Sequence, residues 1–195
     1  MDFGAGSYGK KVFTVGEIVR RSAVRPKFGK LLFRLSRYFK PHRILELGTS
    51  LGISTMYLSL GWPDARVITI EGDPLLRPLT EENFKKLKLK NIKTFEGKFS
   101  QMLPLVSDAR DPFDMVFIDG DHRGEEMMNY LKQIRPFLTS SACVILDDIH
   151  WSGDMEQGWK KAVNMEGVTL SVDLLQFGLI FFDPRLSCQQ YTIRY

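Results

Sequence analysis

Along the chain, short runs that are apolar or β-branched at nearly every position alternate with longer stretches in which apolar residues recur every three or four positions. The runs RILEL (43–47), RVITIE (66–71), IKTFE (92–96), FDMVFID (113–119), ACVILD (142–147), VTLSVDLL (168–175) and GLIFF (178–182) predict seven strands. Several lack a polar face, as expected of parallel strands covered on both sides. In KFGKLLFRLSRYF, Phe28, Leu31, Leu32, Leu35 and Phe39 fall at helical spacing just ahead of the first strand. ISTMYLSL, GEEMMNYLKQIRPFL and GDMEQGWKKAV predict further helices. Thr80 with Glu81 and Glu82 reads as a cap for ENFKKLKL, and Pro74 and Pro78 ahead of it should delay or kink that helix. The alternation predicts an α/β fold: an open, mostly parallel seven-stranded sheet with right-handed crossovers and helices on both faces. Too few residues separate Leu175 from Gly178 for a helix, so the last two strands should pair antiparallel at the C-terminal end.

With 195 residues, 44% apolar and 26% charged, the chain suits one domain: a basic helical lead-in (1–40), a core (41–183) and a tail (184–195). Its greasiest stretches are too short to cross a bilayer, and the opening MDFGAGSYGKK lacks the apolar run of a secretory signal, so no membrane partner is expected. Cys143 sits in a core strand and Cys188 in the tail; both read as reduced thiols of a cytoplasmic protein. The net charge of +4 is concentrated early: between residues 10 and 43 many lysines and arginines face a single acid, Glu17. Such a segment suits the solvated side of amphipathic helices, or a grip on nucleic acid or an anionic substrate.

Ligands on open α/β sheets bind at the carboxyl ends of the strands, which here means Gly48, Glu71, Gly97, Asp119 and Asp147. The first strand ends in ILELGTSLGIS (44–54), a Gly-x-x-x-Gly turn that bends tightly and brings backbone close to a ligand before a helix starts. Position 50 is Ser, so this is not the Gly-x-Gly-x-x-Gly of nicotinamide enzymes. About a turn-and-helix later, VITIEGDP places Glu71 at the next strand end, where a carboxylate accepts both hydroxyls of a ribose. With these features the sequence resembles the class I S-adenosylmethionine-dependent methyltransferases, over about residues 27–183, and the resemblance implies a Rossmann-like core. It further implies that Glu46, Gly48, Gly52 and Ser54 surround the methionine part of S-adenosyl-L-methionine and that Glu71 holds the ribose. In the same comparison Gly97, Lys98 and Phe99, within the loop FEGKFSQMLP (95–104), border the adenine. Gly72 departs from the many relatives that carry a larger residue packed on the purine.

FDMVFIDGDHRGEE (113–126) and CVILDDIHW (143–151) end on neighbouring predicted strands, so Asp119, Asp121, Asp147 and Asp148 are expected in one cleft, with His122 and His150 beside them. Crowded carboxylates raise one another's pKa unless a cation compensates, and magnesium takes carboxylate oxygens while leaving positions for substrate. The pattern resembles the metal-dependent O-methyltransferases, which implies a divalent cation on Asp119, Asp147 and Asp148, with Asp119 also beside the cofactor. Their catechol-type members carry a lysine where this chain has His122, which makes His122 the general-base candidate and leaves the acceptor open. The Asp-Asp pair is closer to the sugar-modifying relatives. Metal-free members of the class also carry FIDGDH, so a structural role for the double aspartate stays open. The expected reaction is O-methylation of a small molecule. A nucleic-acid acceptor is disfavoured by the lack of an appended binding module, and a non-catalytic cofactor-binding domain is the remaining alternative. Trp151, Met155 and Trp159 are expected to line the acceptor pocket or pack as helix core, and GLIFF with the closing YTIRY offers strand surface for a homodimer.

Overall fold

A strand that is apolar on both faces needs helices above and below it, and the chain supplies them by crossing over after each of its first strands. The computed structural model describes residues 14–195. Eight strands, β1 (Arg43–Leu47), β2 (Arg66–Glu71), β3 (Ile92–Glu96), β4 (Phe113–Ile118), β5 (Leu138–Leu146), β6 (Leu170–Asp173), β7 (Gly178–Phe181) and β8 (Gln189–Thr192), form one sheet in the order β3-β2-β1-β4-β5-β7-β6-β8. Only β7 runs against its neighbours. The strand order reverses between β1 and β4, which opens a crevice at their carboxyl ends.

Side-chain alternation splits the core in two. Leu45, Leu47, Val116, Ile118, Val144 and Leu146 pack with residues of α6 (Gly124–Ile134) and α7 (Gly153–Val163). Ile44, Met115, Phe117, Cys143 and Ile145 face Phe28 and Leu32 of α2 (Pro26–Phe39) and Leu58 of α3 (Ile53–Gly61). Burying each large side chain contributes roughly 1.5–3 kcal/mol. By the same parity Glu46 follows Ile44 toward α3, which explains how an acid comes to lie fully buried in RILEL.

The sheet has one strand more than the hydrophobic pattern predicts. β8 lies in the expected tail, pairing parallel to β6 with Val172 opposite Tyr191; all four of its residues are exposed, so burial left no apolar alternation to read. The segment 95–104 is a loop only at Gly97 and Lys98, because β3 runs to Glu96 and α5 (Phe99–Val106) begins at Phe99 despite the helix-breaking signal of Pro104 within it. α4 (Arg77–Lys86) starts earlier than its prolines suggest: Pro78 occupies the first turn, where a missing N–H costs nothing. Thr80 therefore lies inside the helix, donating its hydroxyl to the carbonyls of Ser50 (2.5 Å) and Leu76 (3.0 Å). The lead-in contributes α1 (Val15–Ser22), whose N-cap Thr14 forms a capping box with Glu17. The remainder of the lead-in, residues 1–13 with Lys10 and Lys11, lies outside the described residues. Among the described residues no helix is long and apolar enough to cross a membrane.

Candidate functional site

Backbone pairing continues one residue past the ends of the central strands. Gly48 N–H donates to Ile70 O (3.0 Å), Asp119 N–H to Leu47 O (2.8 Å), Gly97 N–H to Glu71 O (2.8 Å) and Asp147 N–H to Ile118 O (2.9 Å). The five expected strand-end residues therefore stand side by side along one rim. β4 and β5 change register between Phe113 and Met115, and that shift sets Ile118 opposite Leu146 and so Asp119 beside Asp147.

The turn after β1 is built on conformations that side chains resist. Gly48 has φ +101°, and a Cβ there would lie 2.0 Å from the carbonyl oxygen of Asp119. Gly52, with φ +78°, caps α3 and lies against the ring of Phe84. The turn hangs from Glu71: Ser50 N–H donates to its Oε2 (2.7 Å) and Asp73 N–H to its Oε1 (2.8 Å). Burial raises the Glu71 pKa, and these N–H donors oppose the shift. Beneath the turn, Glu46 Oε2 accepts from Thr55 and from Thr69 (2.6 Å), whose hydroxyl also meets that of Thr49 (2.6 Å). Glu46 Oε1 is buried without a hydrogen-bond partner among the described residues. Burial pushes Glu46 up to about 7, against the pull of Ser54, Thr55 and Thr69. Above the turn, the end of α1 closes down: Ser22 and Ser50 share a hydroxyl–hydroxyl bond of 2.7 Å. The narrow cleft between them is lined by Ser22, Val24, Gly48, Ser50, Ser54 and Asp119. At the β3 end, Lys98 is exposed, while Phe99 packs edge-on to Tyr130 at 5.5 Å and lies against Gly120.

Asp119 joins this cleft to the acidic turn after β5. Desolvation holds its carboxyl well above the ordinary carboxylate range, and the charges of Asp147, Asp148 and Glu46 push the same way. Its partner Asp147 is raised to about 7, again by burial first and then by Asp148; Gln176, the Asp148 backbone and Asp119 donate to it and pull it down. Asp148 adopts φ +52° and is raised by burial, opposed by His122 and Arg25. His122 Nδ1 lies 3.6 Å from Asp148 Oδ2, and Trp151, two-thirds exposed, stands beside the imidazole at 6.1 Å between rings.

Two expected members are elsewhere. Asp121 turns away at φ +56° into a bidentate pair with Arg123 (2.6 and 2.7 Å) and takes the Tyr130 hydroxyl (3.0 Å), so it does not join Asp119. His150 faces Asp173 (2.8 Å) and Glu156 (3.5 Å). Met155 and Trp159 are helix core, leaving Trp151 as the aromatic at the rim. Among the described residues no group of three His, Cys, Asp or Glu side chains is arranged to hold a metal ion. In donor chemistry the cluster would nevertheless suit a hard divalent cation: burial first, and then the charges of Asp147 and Asp148, raise Asp119, and such a cation would offset that crowding. Sequence reasoning passed over Thr55, Thr69 and Gln176. A signal existed for Thr69, a polar residue inside a buried strand and in register with Glu46.

A family model described as a methyltransferase domain matches residues 45–149, just over half of the chain. The catechol O-methyltransferase of Niastella koreensis is 37% identical over 102 residues, 51% of this chain and 46% of that protein. That of Mycobacterium tuberculosis is 30% identical over 131 residues, 66% of this chain and 58% of that protein. The chain thus spans about half the length of the curated relatives it matches. Among solved structures, the O-methyltransferase TomG from Streptomyces achromogenes, in complex with S-adenosylmethionine, superposes with a TM-score of 0.74 at 22% identity, covering 84% of this chain and 82% of that one. That last likeness is one of fold.

Proposed function

The chain belongs to the methyltransferase-domain family, and from that premise we propose that it transfers the methyl group of S-adenosylmethionine to a hydroxyl oxygen of a small molecule, assisted by a divalent cation. The observation that carries the reading is the position of Asp119. Its backbone abuts the glycine turn at Gly48 and its carboxyl meets Asp147 on the next strand, so donor and acceptor sites share a wall. The residues around the first site fit the donor: close-approach backbone at Gly48, buried acids beneath it, and Glu71 with lone pairs left for ribose hydroxyls.

S-adenosylmethionine supplies the methyl as an activated sulfonium, which makes the protein's work largely one of alignment. Glu71 orients the ribose and the 48–52 turn holds the amino-acid end, so the methyl is directed toward Asp119. His122, oriented through Nδ1 by Asp148, takes the proton of the acceptor hydroxyl as its oxygen attacks. Trp151 screens the imidazole on the outer side. Asp119, Asp147 and Asp148 would hold a divalent cation, which would supply the Lewis acidity that lowers the hydroxyl pKa. The test is calorimetry with S-adenosylhomocysteine followed by transfer assays on a panel of hydroxylated acceptors, with and without magnesium. Saturable binding and magnesium-stimulated transfer are expected. Absence of binding sinks the reading, and a rate unchanged by exhaustive chelation removes the cation from it.

A further inference from the structure

Gln176 belongs to no motif in the chain, yet it lies against the acidic turn. It sits between β6 and β7, in a tight turn closed by Leu174 N–H donating to Phe177 O (2.8 Å) and passing through Leu175 at φ +71°. A non-glycine residue holds that conformation only where its surroundings enforce it. Here the enforcement is a double tie between the β6–β7 turn and the β5 tip. Ile149 N–H donates to Gln176 O (3.2 Å), and His150 Nε2 meets Asp173 Oδ2 (2.8 Å), while Asp173 Oδ1 accepts Leu175 N–H (2.8 Å). So held, Gln176 donates from Nε2 to Asp147 Oδ1 (3.2 Å), an oxygen that also takes Asp148 N–H (2.7 Å). Its own Oε1 is left buried with no partner among the described residues. An amide that forgoes a bond at its oxygen in order to keep its N–H on a carboxylate is oriented by that carboxylate, because donation to a charged acceptor outweighs a neutral bond.

We propose that Gln176 is a positioning residue: its amide N–H, with the Asp148 backbone, fixes Asp147 Oδ1 and so turns the other carboxylate oxygen toward Asp119 and the reacting groups. The inference rests on the reading of Asp147 as part of the reactive site. The β6–β7 turn is then a brace for the acidic turn rather than a mere connection.

The experiment compares Gln176→Leu and Gln176→Glu with the parent protein. Both variants should lose about tenfold or more in kcat, with S-adenosylhomocysteine affinity and KM for the donor within about twofold. Gln176→Glu should be no better than Gln176→Leu, since it offers an acceptor where a donor is required. Parental kcat in either variant overturns the proposal, as does a loss of cofactor affinity in parallel with kcat, which marks a merely structural role. A nuclear magnetic resonance readout is independent of turnover. In the parent, one Gln176 side-chain amide proton should be shifted downfield and slow to exchange, and Asp147→Ala should abolish both properties. An unperturbed resonance in the parent, or one insensitive to Asp147→Ala, overturns the proposal even if no acceptor is ever found. A protein that shows the resonance but transfers no methyl group instead loses the proposed function.

Discussion

Replacing Gly48 by Ala tests the packing on which the whole site depends. The added Cβ meets two obstacles. The first is conformational: φ +101° lies outside what an L side chain readily adopts, at a cost of about 1–3 kcal/mol. The second is steric, with the Cβ 2.0 Å from the Asp119 carbonyl oxygen and 2.8 Å from its carbon. That carbonyl is backbone and is not free to swing, because Asp119 N–H is tied to Leu47 O at 2.8 Å. Relief therefore requires parting the tips of β1 and β4, with loss of about one backbone hydrogen bond, ~1 kcal/mol. The combined destabilisation is roughly 2–4 kcal/mol, which in a domain of this size lowers Tm by about 5–15 °C.

Because the strain falls at the crevice, S-adenosylhomocysteine affinity should drop by about tenfold or more as well. Thermal unfolding and calorimetry on Gly48→Ala read the two effects. Gly153→Ala is the control: its Cβ would meet nothing within 4 Å at the start of α7, so stability and affinity should both stay at parental values. A Gly48→Ala protein within about 1 °C of the parent, binding cofactor normally, would refute the close approach and with it the shared wall between the two sites.

Glu71→Ala removes the acceptor of both Ser50 and Asp73 N–H groups and should abolish detectable S-adenosylhomocysteine binding by calorimetry while the protein still unfolds cooperatively. Asp147→Asn combined with Asp148→Asn should eliminate transfer yet leave that affinity within about twofold; a parallel loss of affinity would show the two sites to be one. Glu46 is raised from 4.5 to about 7, so the folded state holds its proton more tightly than the unfolded chain. That contribution is full below pH 4.5 and is lost as pH rises through 7, up to roughly 3 kcal/mol. Glu46→Gln should therefore gain stability relative to the parent over that window in denaturant titrations, and a pH-independent difference contradicts the burial argument. Phe117→Ala empties a fully buried position beside Phe177 and should cost about 3–5 kcal/mol by the same titration.

What could be read from the sequence was what burial writes into it. β1, β4 and β5 are covered on both faces, so their apolar runs are continuous, and the residue that ends each run marks the carboxyl rim of the sheet. Gly48, Asp119 and Asp147 were visible for that reason. β8 was hidden because QQYT is exposed throughout, and an edge strand held by backbone pairing alone carries no apolar pattern. Asp121 misled for a different reason. Strand parity places it with Asp119, but the chain leaves extended geometry at Gly120 and Asp121 takes φ +56°, which swings its carboxylate back to Arg123 and Tyr130. Gln176 lies far from the acidic turn in sequence and meets it only through the β6–β7 turn, a long-range contact that no local spacing announces.

The two ends of the sheet also differ in how they treat charge. At the amino end, acids come with cations: Asp111 pairs with Arg66 (2.6 Å) and Arg43 (3.5 Å), and Asp114 accepts the His42 and Arg43 backbone N–H groups (2.8 and 3.0 Å). These contacts fasten β1 to β4 and need nothing more. At the carboxyl end, Glu46, Asp119 and Asp147 gather in desolvated surroundings with no lysine or arginine in salt-bridge contact among the described residues, and all three are raised. A fold selected for stability alone has no use for such a cluster, since protons must be retained or charges left crowded when nothing is bound. Elsewhere the chain does neutralise a buried acid, pairing Asp121 with Arg123 (2.6 Å). The imbalance at the carboxyl rim is what the cationic ligands of the proposed function, a sulfonium donor and a divalent cation, would relieve.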